Sequence, residues 1–170
     1  AAISACEKGA RWHEALGVLS DMRMQRLDPD VISYNAVISA CEKGFRWQEA
    51  LVAFFDMRRR HLEPNVISFS AAICACEKGE MWHASLGIFS SMKPCCVVPD
   101  AIAYNAAIIA CEKGSRWHEA SGILSDMPLH RLDPSVITYT SAISACAQGS
   151  QWDEVCKSEM LETAHNILRA

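Results

Sequence analysis

The chain has 170 residues, 51% of them hydrophobic, and a formal net charge of −4 at pH 7. This slight acidity argues against a general polyanion binder and permits a selective one only if the basic groups gather on one face. No apolar run reaches the roughly 18 residues that a membrane-spanning helix needs, so we expect no membrane partner.

A 35-residue interval runs through the whole sequence and predicts an array of repeats. Tryptophan, cysteine and glycine all keep this interval: Trp12, Trp47, Trp82, Trp117 and Trp152; Cys6, Cys41, Cys76, Cys111 and Cys146; Gly9, Gly44, Gly79, Gly114 and Gly149. Units of such an array contact only their neighbours. We therefore expect one elongated domain over 1–170. Because the chain begins in mid-repeat, we also expect it to be a piece of a longer protein.

The repeat divides the chain into five units, counted from the residue after a recurrent Pro-Asp or similar pair. The first unit, 1–30, lacks its opening five positions, and 31–65, 66–100 and 101–135 are complete. The last unit, 136–170, departs from the pattern after Trp152, where we expect one uninterrupted helix that is a capping end or a diverged unit. Proline near the end of the first four units stops a helix and glycine at position 14 breaks the unit, so two helices per unit are predicted.

Both predicted helices carry an apolar stripe. In the unit 31–65, Tyr34, Val37, Ile38 and Cys41 recur at the spacing of one helix face, and Trp47 heads the same pattern in the second helix. These stripes predict the core. We interpret the tryptophans as packing residues in preference to ligand-stacking residues, and the recurrent cysteines as small buried contacts.

The opposite side of the first helix holds positions 2, 5, 9 and 13, which share a face because of helical spacing. Position 2 is an isoleucine that either packs on the preceding unit or faces a ligand: Ile32, Ile67, Ile102 and Ile137. Position 5 is small, polar and a mediocre helix former, which indicates selection for something besides helix stability: Asn35, Ser70, Asn105 and Thr140. The last position of each unit is either an N-cap or a ligand contact: Asp30, Asn65, Asp100 and Ser135.

Charge is divided between the two helices. Position 13 gives a spaced row of cations, Lys8, Lys43, Lys78 and Lys113, whereas the acidic residues lie mainly in the second helices. We interpret the histidines that follow tryptophan, His13, His83 and His118, as solvated surface groups. No nucleophile with a base and an orienting group emerges, so we expect no enzyme. Neither Cys74 with Cys76 nor Cys95 with Cys96 has zinc-knuckle spacing, and we expect no metal or cofactor.

The repeat combines the 35-residue period with Val-Ile-Ser-Tyr-Asn from Val31, Cys-Glu-Lys-Gly from Cys41 and Trp-Gln-Glu-Ala-Leu from Trp47, and with the closing Pro-Asp or Pro-Asn. In these features it resembles the pentatricopeptide repeat family. The resemblance implies an all-α fold, a right-handed α-solenoid of helix-turn-helix repeats. It implies that single-stranded RNA lies along the concave face with one base at each repeat and its 5′ end toward the N-terminus. It also implies a mitochondrial or plastid location and a part in RNA processing, stabilisation or editing, although this sequence contains no targeting segment. The zinc deaminase signature of editing members is absent from the sequence.

Residue roles follow from the same resemblance. Positions 5 and 35 of a unit would hydrogen-bond the base, the isoleucine at position 2 would sandwich it, and the lysine at position 13 would lie near the phosphates. Asn35 with Asn65 then favours a pyrimidine, Ser70 with Asp100 guanine and Asn105 with Ser135 cytosine, while Thr140 leans toward a purine. The expected core is 5′-pyrimidine-G-C-purine-3′. The first unit lacks position 5 and the last has Ala170 at position 35, so neither of their bases is assigned.

Two alternatives to RNA binding remain open. Net acidity and the apolar Ile109 and Cys74 on the predicted concave face are compatible with a protein-interaction scaffold that takes a peptide or a partner helix. The array could also act as a spacer between functional domains in flanking regions, which are further candidates for protein partners.

Overall fold

The computed structural model describes Gly9 and residues 11–148, and this part of the chain is helical throughout with no strand. The α-helices are α1 (Trp12–Met24), α2 (Val31–Lys43), α3 (Trp47–Arg59), α4 (Val66–Lys78), α5 (Trp82–Met92), α6 (Ala101–Lys113), α7 (Trp117–Asp126) and α8 (Val136–Gln148). A short 3-10 turn, Pro128–His130, follows α7. Each unit from 31 to 135 therefore holds a first helix and a second helix, which alternate along the chain.

The first helices begin where their sequences supply an N-cap. Asp30, Asn65 and Asp100 adopt extended backbone angles, and each accepts a hydrogen bond from the backbone N–H three residues later, at 2.8, 3.1 and 2.8 Å. Ser135 caps α8 in the same way through Thr138 N–H, at 3.3 Å. Such a cap stabilises a helix by about 1 kcal/mol. The capping role expected of the last position in each unit is therefore confirmed.

The helices form two layers. The first helices α2, α4, α6 and α8 stack on one another in chain order. The second helices α3, α5 and α7 each pack between the first helix of their own unit and that of the next, and α1 packs on α2. Within the described residues, no Cα atom of one second helix lies within 8 Å of another second helix. Because the more widely spaced layer lies on the outside of a curved stack, the first helices line the concave surface.

The core lies between the two layers and contains the predicted stripes. Tyr34, Val37, Ile38 and Cys41 on α2 are fully buried, as are Phe54 and Met57 on α3. The Phe54 ring meets the Phe69 ring of the next unit edge to face, with 5.2 Å between the ring centroids. Burial is thus continuous from unit to unit, as expected of a solenoid.

The glycine at position 14 separates the two helices of a unit, as predicted, although its backbone angle is not left-handed. Gly44, Gly79 and Gly114 end the first helices, but their φ angles lie between −83 and −90°. The left-handed residue is the next one along the chain, at φ angles of 52 to 59°: Phe45, Glu80 and Ser115. A positive φ is therefore not the reason for the glycine.

The tryptophan of the preceding unit supplies that reason. A Cβ atom added to Gly44 would lie 2.5 Å from Trp12 Cδ1, and one added to Gly79 would lie 2.2 Å from Trp47 Cδ1. Gly114 stands in the same relation to Trp82, at 2.6 Å from Cδ2. The tryptophans are half-buried by this contact, and Trp12 and Trp47 also pack against the core. Their interpretation as packing residues is confirmed, with the glycine of the next unit as the surface that they cover.

Some predictions fall outside the described residues. These are Lys8, the helix expected after Trp152, and Ala170 at the last position-35 site.

Candidate nucleic-acid interface

The isoleucines at position 2 lie near the start of each first helix and remain open to solvent. Ile32, Ile67, Ile102 and Ile137 are between 57 and 75% exposed. They do not bury themselves against the preceding unit. Four apolar side chains are thus presented at regular intervals along the stack of first helices.

In the unit 31–65, the two predicted base-reading side chains meet directly. Asn35 Nδ2 donates a hydrogen bond to Asn65 Oδ1 at 3.2 Å. The Ser68 hydroxyl, three residues after Asn65, donates to Asn35 Oδ1 at 2.5 Å. Asn35 is only 8% exposed, so the face predicted to be polar and open is partly covered by the start of the following helix.

The unit 66–100 has a related but simpler arrangement. Ser70 Oγ donates to Asp100 Oδ1 at 2.8 Å, and the same oxygen accepts the backbone N–H of Ala103 at 2.8 Å. No described residue makes a hydrogen bond to the second carboxylate oxygen, Asp100 Oδ2. The site therefore offers an acceptor with negative charge beside a hydroxyl.

In the unit 101–135, positions 5 and 35 are joined through a third residue. Thr138 Oγ1 donates to Asn105 Oδ1 at 2.5 Å and lies 2.8 Å from Ser135 Oγ. No direct hydrogen bond links Asn105 to Ser135 in the described structure. The structure thus brings together all three complete pairs that the sequence predicted, two directly and one through a threonine.

The two remaining predicted residues lie at the ends of the described array. The Ser33 hydroxyl and backbone N–H both donate to Asp30 Oδ1, at 2.7 and 2.8 Å, and these two bonds lower the pKa of the Asp30 carboxyl. Thr140 is exposed, and its hydroxyl donates to the backbone carbonyl of Val136 at 2.7 Å. For neither residue do the described residues include the position 5 or position 35 with which it would pair in its own unit.

The lysines at position 13 do not form an isolated row of cations. Lys78 Nζ lies 2.5 Å from Glu42 Oε1 of the preceding unit, and Lys113 Nζ lies 2.7 Å from Glu77 Oε1. Lys113 also donates to the Glu77 backbone carbonyl at 2.7 Å. The unit 66–100 is therefore linked by an ion pair to the unit before it and to the unit after it, and the charges of these two lysines are neutralised. Contact with phosphates stays a prediction.

The second helices carry the acidic residues and several local ion pairs. Arg46 with Glu49 and Arg116 with Glu119 are paired within the first turn of α3 and α7, and the arginine lowers the pKa of each glutamate. The histidines His13, His83 and His118 are exposed, as interpreted.

The recurrent cysteines belong to the core. Cys41, Cys76 and Cys111 are buried, and burial raises the pKa of their thiols to about 11, 11 and 12. In the part of the chain that the structure describes, no group of His, Cys, Asp and Glu side chains is placed to hold a metal ion. No described helix is long and apolar enough to cross a membrane.

Sequence reasoning missed the hydroxyl at position 3 of the following unit. Ser68 and Thr138 contact position-5 side chains of the unit before them and are almost completely buried. The sequence contained a signal, since a hydroxyl residue occupies position 3 in three of four units: Ser33, Ser68 and Thr138, with Ala103 as the exception.

Comparisons with protein families identify the repeat. A family model described as the PPR repeat family matches residues 29–78 and 99–148. A second model, described as the pentatricopeptide repeat domain, matches residues 2–44. A comparison with curated proteins finds no match.

Solved structures have the same fold. A crystal structure of the pentatricopeptide repeat protein PPR10 from maize is 25% identical with a TM-score of 0.66, over 95% of this chain and 24% of that chain. The PPR domain of Arabidopsis thaliana protein-only RNase P 1, solved in complex with tRNA, is 15% identical with a TM-score of 0.84, over 99% of this chain and 88% of that chain. PPR10 in complex with an 18-nt psaJ RNA element is 20% identical with a TM-score of 0.71, over 96% and 24% of the two chains. The chain thus spans about a quarter of the length of the maize protein. These likenesses confirm the predicted all-α, right-handed solenoid.

Proposed function

Because the chain belongs to the pentatricopeptide repeat family, we propose that it binds single-stranded RNA selectively, with one base at each complete unit. The observation that carries this proposal is the meeting of positions 5 and 35 within one unit, as in Asn35 with Asn65 and Ser70 with Asp100. An exposed isoleucine precedes each position-5 residue by less than one helical turn. The similarity to proteins solved with RNA supports the same conclusion.

The donors and acceptors of each pair favour particular bases. At the unit 66–100, the carboxylate oxygen Asp100 Oδ2 can accept from the adjacent N1–H and N2–H donors of guanine. At the unit 31–65, Asn65 Oδ1 already accepts from the helix backbone and from Asn35, so amide N–H groups remain to donate to pyrimidine carbonyl oxygens. Asn105 with Ser135 is assigned cytosine, and the short side chain of Thr140 leaves room for a purine. The core is 5′-pyrimidine-G-C-purine-3′.

The isoleucines would complete the binding site of each base. Their exposed side chains offer apolar surface against which a base can stack, and aromatic or apolar contacts to single-stranded bases tolerate any sequence. Selectivity is therefore assigned to positions 5 and 35, and the sandwiching contact to Ile32, Ile67, Ile102 and Ile137.

The proposal is tested by fluorescence anisotropy with short labelled RNAs at low salt. An RNA with the predicted core should bind about tenfold more tightly than one with its central G and C exchanged, because each wrong base leaves a polar group unpaired. Ser70→Asn should move the preference at the guanine toward a pyrimidine. Ser90→Asn, on the exposed side of α5, is the matched control and should leave the preference unchanged. Equal affinity for the two RNAs would show that the assigned code is wrong.

The alternative of a protein scaffold is separated by the same experiment. Ile109 and Cys74, which motivated it, are both half-buried. If the chain bound no RNA at low salt but retained a protein partner in a pull-down, the scaffold would be favoured.

We further propose that this array binds RNA without cleaving it, in a mitochondrion or plastid. The structure similar to it from protein-only RNase P 1 is that of the PPR domain. Incubation with labelled RNA should leave the RNA intact on a denaturing gel, and fractionation of cells that naturally express the protein should place it in one of the two organelles.

A further inference from the structure

A buried hydroxyl from the following unit contacts the base-reading amide in the units 31–65 and 101–135. We infer that Ser68 and Thr138 are positioning residues that fix which way the amides of Asn35 and Asn105 face, and so decide between cytosine and uracil. The inference rests on the proposed function, since it assigns a source of specificity within the same sites.

Ser68 is placed to orient an amide and is not placed to touch a base. It is 0% exposed. Its hydroxyl accepts the Asn65 backbone N–H at 3.2 Å and donates to Asn35 Oδ1 at 2.5 Å. Its backbone N–H separately donates to Asn65 Oδ1 at 3.1 Å. The side-chain hydroxyl therefore contacts Asn35 Oδ1 and also belongs to the capping box of α4, where it lies 3.1 Å from Asn65 Oδ1.

Two contacts together determine the orientation of the Asn35 amide. With Oδ1 toward Ser68, Nδ2 donates to Asn65 Oδ1 at 3.2 Å. Rotation of the amide by half a turn would bring Asn35 Oδ1 against Asn65 Oδ1, and two acceptors cannot share a hydrogen bond. Without the hydroxyl, the longer Asn35 to Asn65 bond is the one hydrogen bond from a described residue that opposes this rotation.

Amide orientation is the property that separates the two pyrimidines. Cytosine presents an amino donor and a ring acceptor where uracil presents a carbonyl acceptor and a ring donor, so the two Watson–Crick edges are complementary in pattern. An amide held in one orientation matches one of these edges. An amide that rotates freely matches both.

Thr138 has the same arrangement in the unit 101–135, where the orientation of the Asn105 amide depends more strongly on the hydroxyl. It is 1% exposed, and its hydroxyl donates to Asn105 Oδ1 at 2.5 Å. Because Asn105 has no direct hydrogen bond to Ser135 within the described structure, Thr138 is the residue that links the two. Removing this hydroxyl therefore removes the described constraint on the Asn105 amide.

The unit that lacks the hydroxyl also lacks an amide to orient. Ala103 follows the unit whose position-5 residue is Ser70, and Ser70 donates its own proton to Asp100. The two oxygens of a carboxylate are chemically equivalent, so no orientation has to be chosen there. Within this chain, a hydroxyl at position 3 thus accompanies asparagine at position 5 of the unit before it.

Ser33 provides a matched control because its position-5 neighbour would precede residue 1. Among the described residues, its hydroxyl donates to Asp30 alone, at 2.7 Å. Ser33→Ala removes a position-3 hydroxyl from a capped helix, as Ser68→Ala does, but it disturbs no assigned base-reading amide.

The experiment measures Kd for RNAs that carry cytosine or uracil opposite the unit 31–65. The wild-type chain should prefer one of the two. Ser68→Ala should bring the ratio of Kd values roughly three- to tenfold closer to one, the range that loss of one hydrogen bond produces. Ser33→Ala should keep the wild-type ratio, and Ser68→Thr should restore it because Thr138 has the same role in its unit. A wild-type ratio near one, or an unchanged ratio in Ser68→Ala, would overturn the inference while leaving RNA binding intact.

A second readout requires no RNA. The side-chain amide of Asn35 should have a lower NMR order parameter in Ser68→Ala than in Ser33→Ala, and an equal value in the two would overturn the inference even if no RNA bound. If Ser68→Ala is unfolded by circular dichroism, Thr138→Val decides the matter at the unit 101–135. Valine keeps the shape of threonine without its hydroxyl, and an unchanged cytosine-to-uracil ratio in that folded variant would overturn the inference.

Discussion

The glycine at position 14 could be required either by its backbone angle or by a close contact with the preceding unit. A glycine that ends a helix is ordinarily explained by a left-handed φ angle. Here the left-handed angle belongs to the next residue, for example Glu80 at 59°, and Gly79 itself has a φ of −83°. The glycine is required because Trp47 of the preceding unit lies where a side chain would begin. Its role is therefore contact between units.

Gly79→Ala should destabilise the array. The added Cβ would lie 2.2 Å from Trp47 Cδ1 and 2.9 Å from Trp47 Cβ, so the tryptophan must move at its base. Such overpacking costs about 1 to 3 kcal/mol of unfolding free energy, measurable by urea denaturation. In a Trp47→Ala background, the same change should cost little or stabilise, because a glycine with a helical φ gains from a side chain.

The control for this prediction is Gly122→Ala on α7. A Cβ atom at Gly122 meets nothing within 4 Å, and the residue lies inside a helix. This substitution should stabilise by up to about 1 kcal/mol. If Gly79→Ala proved as stabilising as Gly122→Ala, the contact between tryptophan and glycine would not constrain the fold.

Three helices are joined by a polar cluster at the level of the second helices. Arg23 of α1 and Tyr34 of α2 both donate to Asp56 of α3; the Tyr34 hydroxyl lies 2.5 Å from Asp56 Oδ2, and Arg23 forms an ion pair with the same oxygen. The fully buried Tyr34 therefore has a satisfied hydroxyl. In the next unit Phe69 replaces the tyrosine and Ser91 occupies the position of Asp56. The carboxylate is therefore absent from the unit in which no buried tyrosine hydroxyl has to be hydrogen-bonded.

The Asp56 cluster should make stability depend on pH. Partial burial alone would raise the pKa of the Asp56 carboxyl, but the hydrogen bond from Tyr34 and the charges of Arg23 and Arg60 outweigh it and lower this pKa. A carboxyl whose pKa is lower in the folded state than in the unfolded state stabilises the fold at pH values above its unfolded pKa of about 3.9. This contribution to stability is lost as the pH falls through the pKa of the folded state. Wild-type and Asp56→Asn should therefore differ most in unfolding free energy near neutral pH and converge in acid. Asp21→Asn, an exposed change on α1, should remain parallel to wild-type; parallel curves for Asp56→Asn would contradict the assignment.

The helices were predictable from the sequence because their signals are local. Proline, the N-cap residue and an apolar stripe lie within one unit, and each reports on neighbours less than one helix away. The contact of Trp47 with Gly79 and the hydrogen bond of Ser68 with Asn35 join residues 32 and 33 positions apart. Periodicity shows that such residues recur together, but it does not show which pairs touch. The packing of neighbouring units decides that, and for this reason position 3 was missed.

At the scale of the whole molecule, the charge on the concave layer differs from the sequence expectation. The repeated Glu-Lys pair was expected to leave lysine as a row of cations. The stack instead places two of these lysines beside the glutamate of the preceding unit, Lys78 with Glu42 and Lys113 with Glu77. Exposed ion pairs of this kind contribute only about 0 to 1 kcal/mol each, so RNA phosphates can compete for the lysines at a modest cost. Under the proposed function, the array would therefore read bases with little help from a general positive field.

Releasing a lysine from its glutamate should strengthen RNA binding and its dependence on salt. Each phosphate contact on a single strand contributes roughly −0.7 to the slope of log affinity against log salt concentration. The four lysines of position 13 therefore limit the slope of the wild-type chain to about −3. Glu42→Gln leaves the Lys78 charge without its carboxylate and should steepen the slope by up to about 0.7. Glu112→Gln is the matched control, because the following unit has Gln148 in place of lysine, so the same negative charge is removed and no cation is released. Equal slopes for the two variants would mean that Lys78 lies away from the phosphates, and binding would then depend on the base contacts alone.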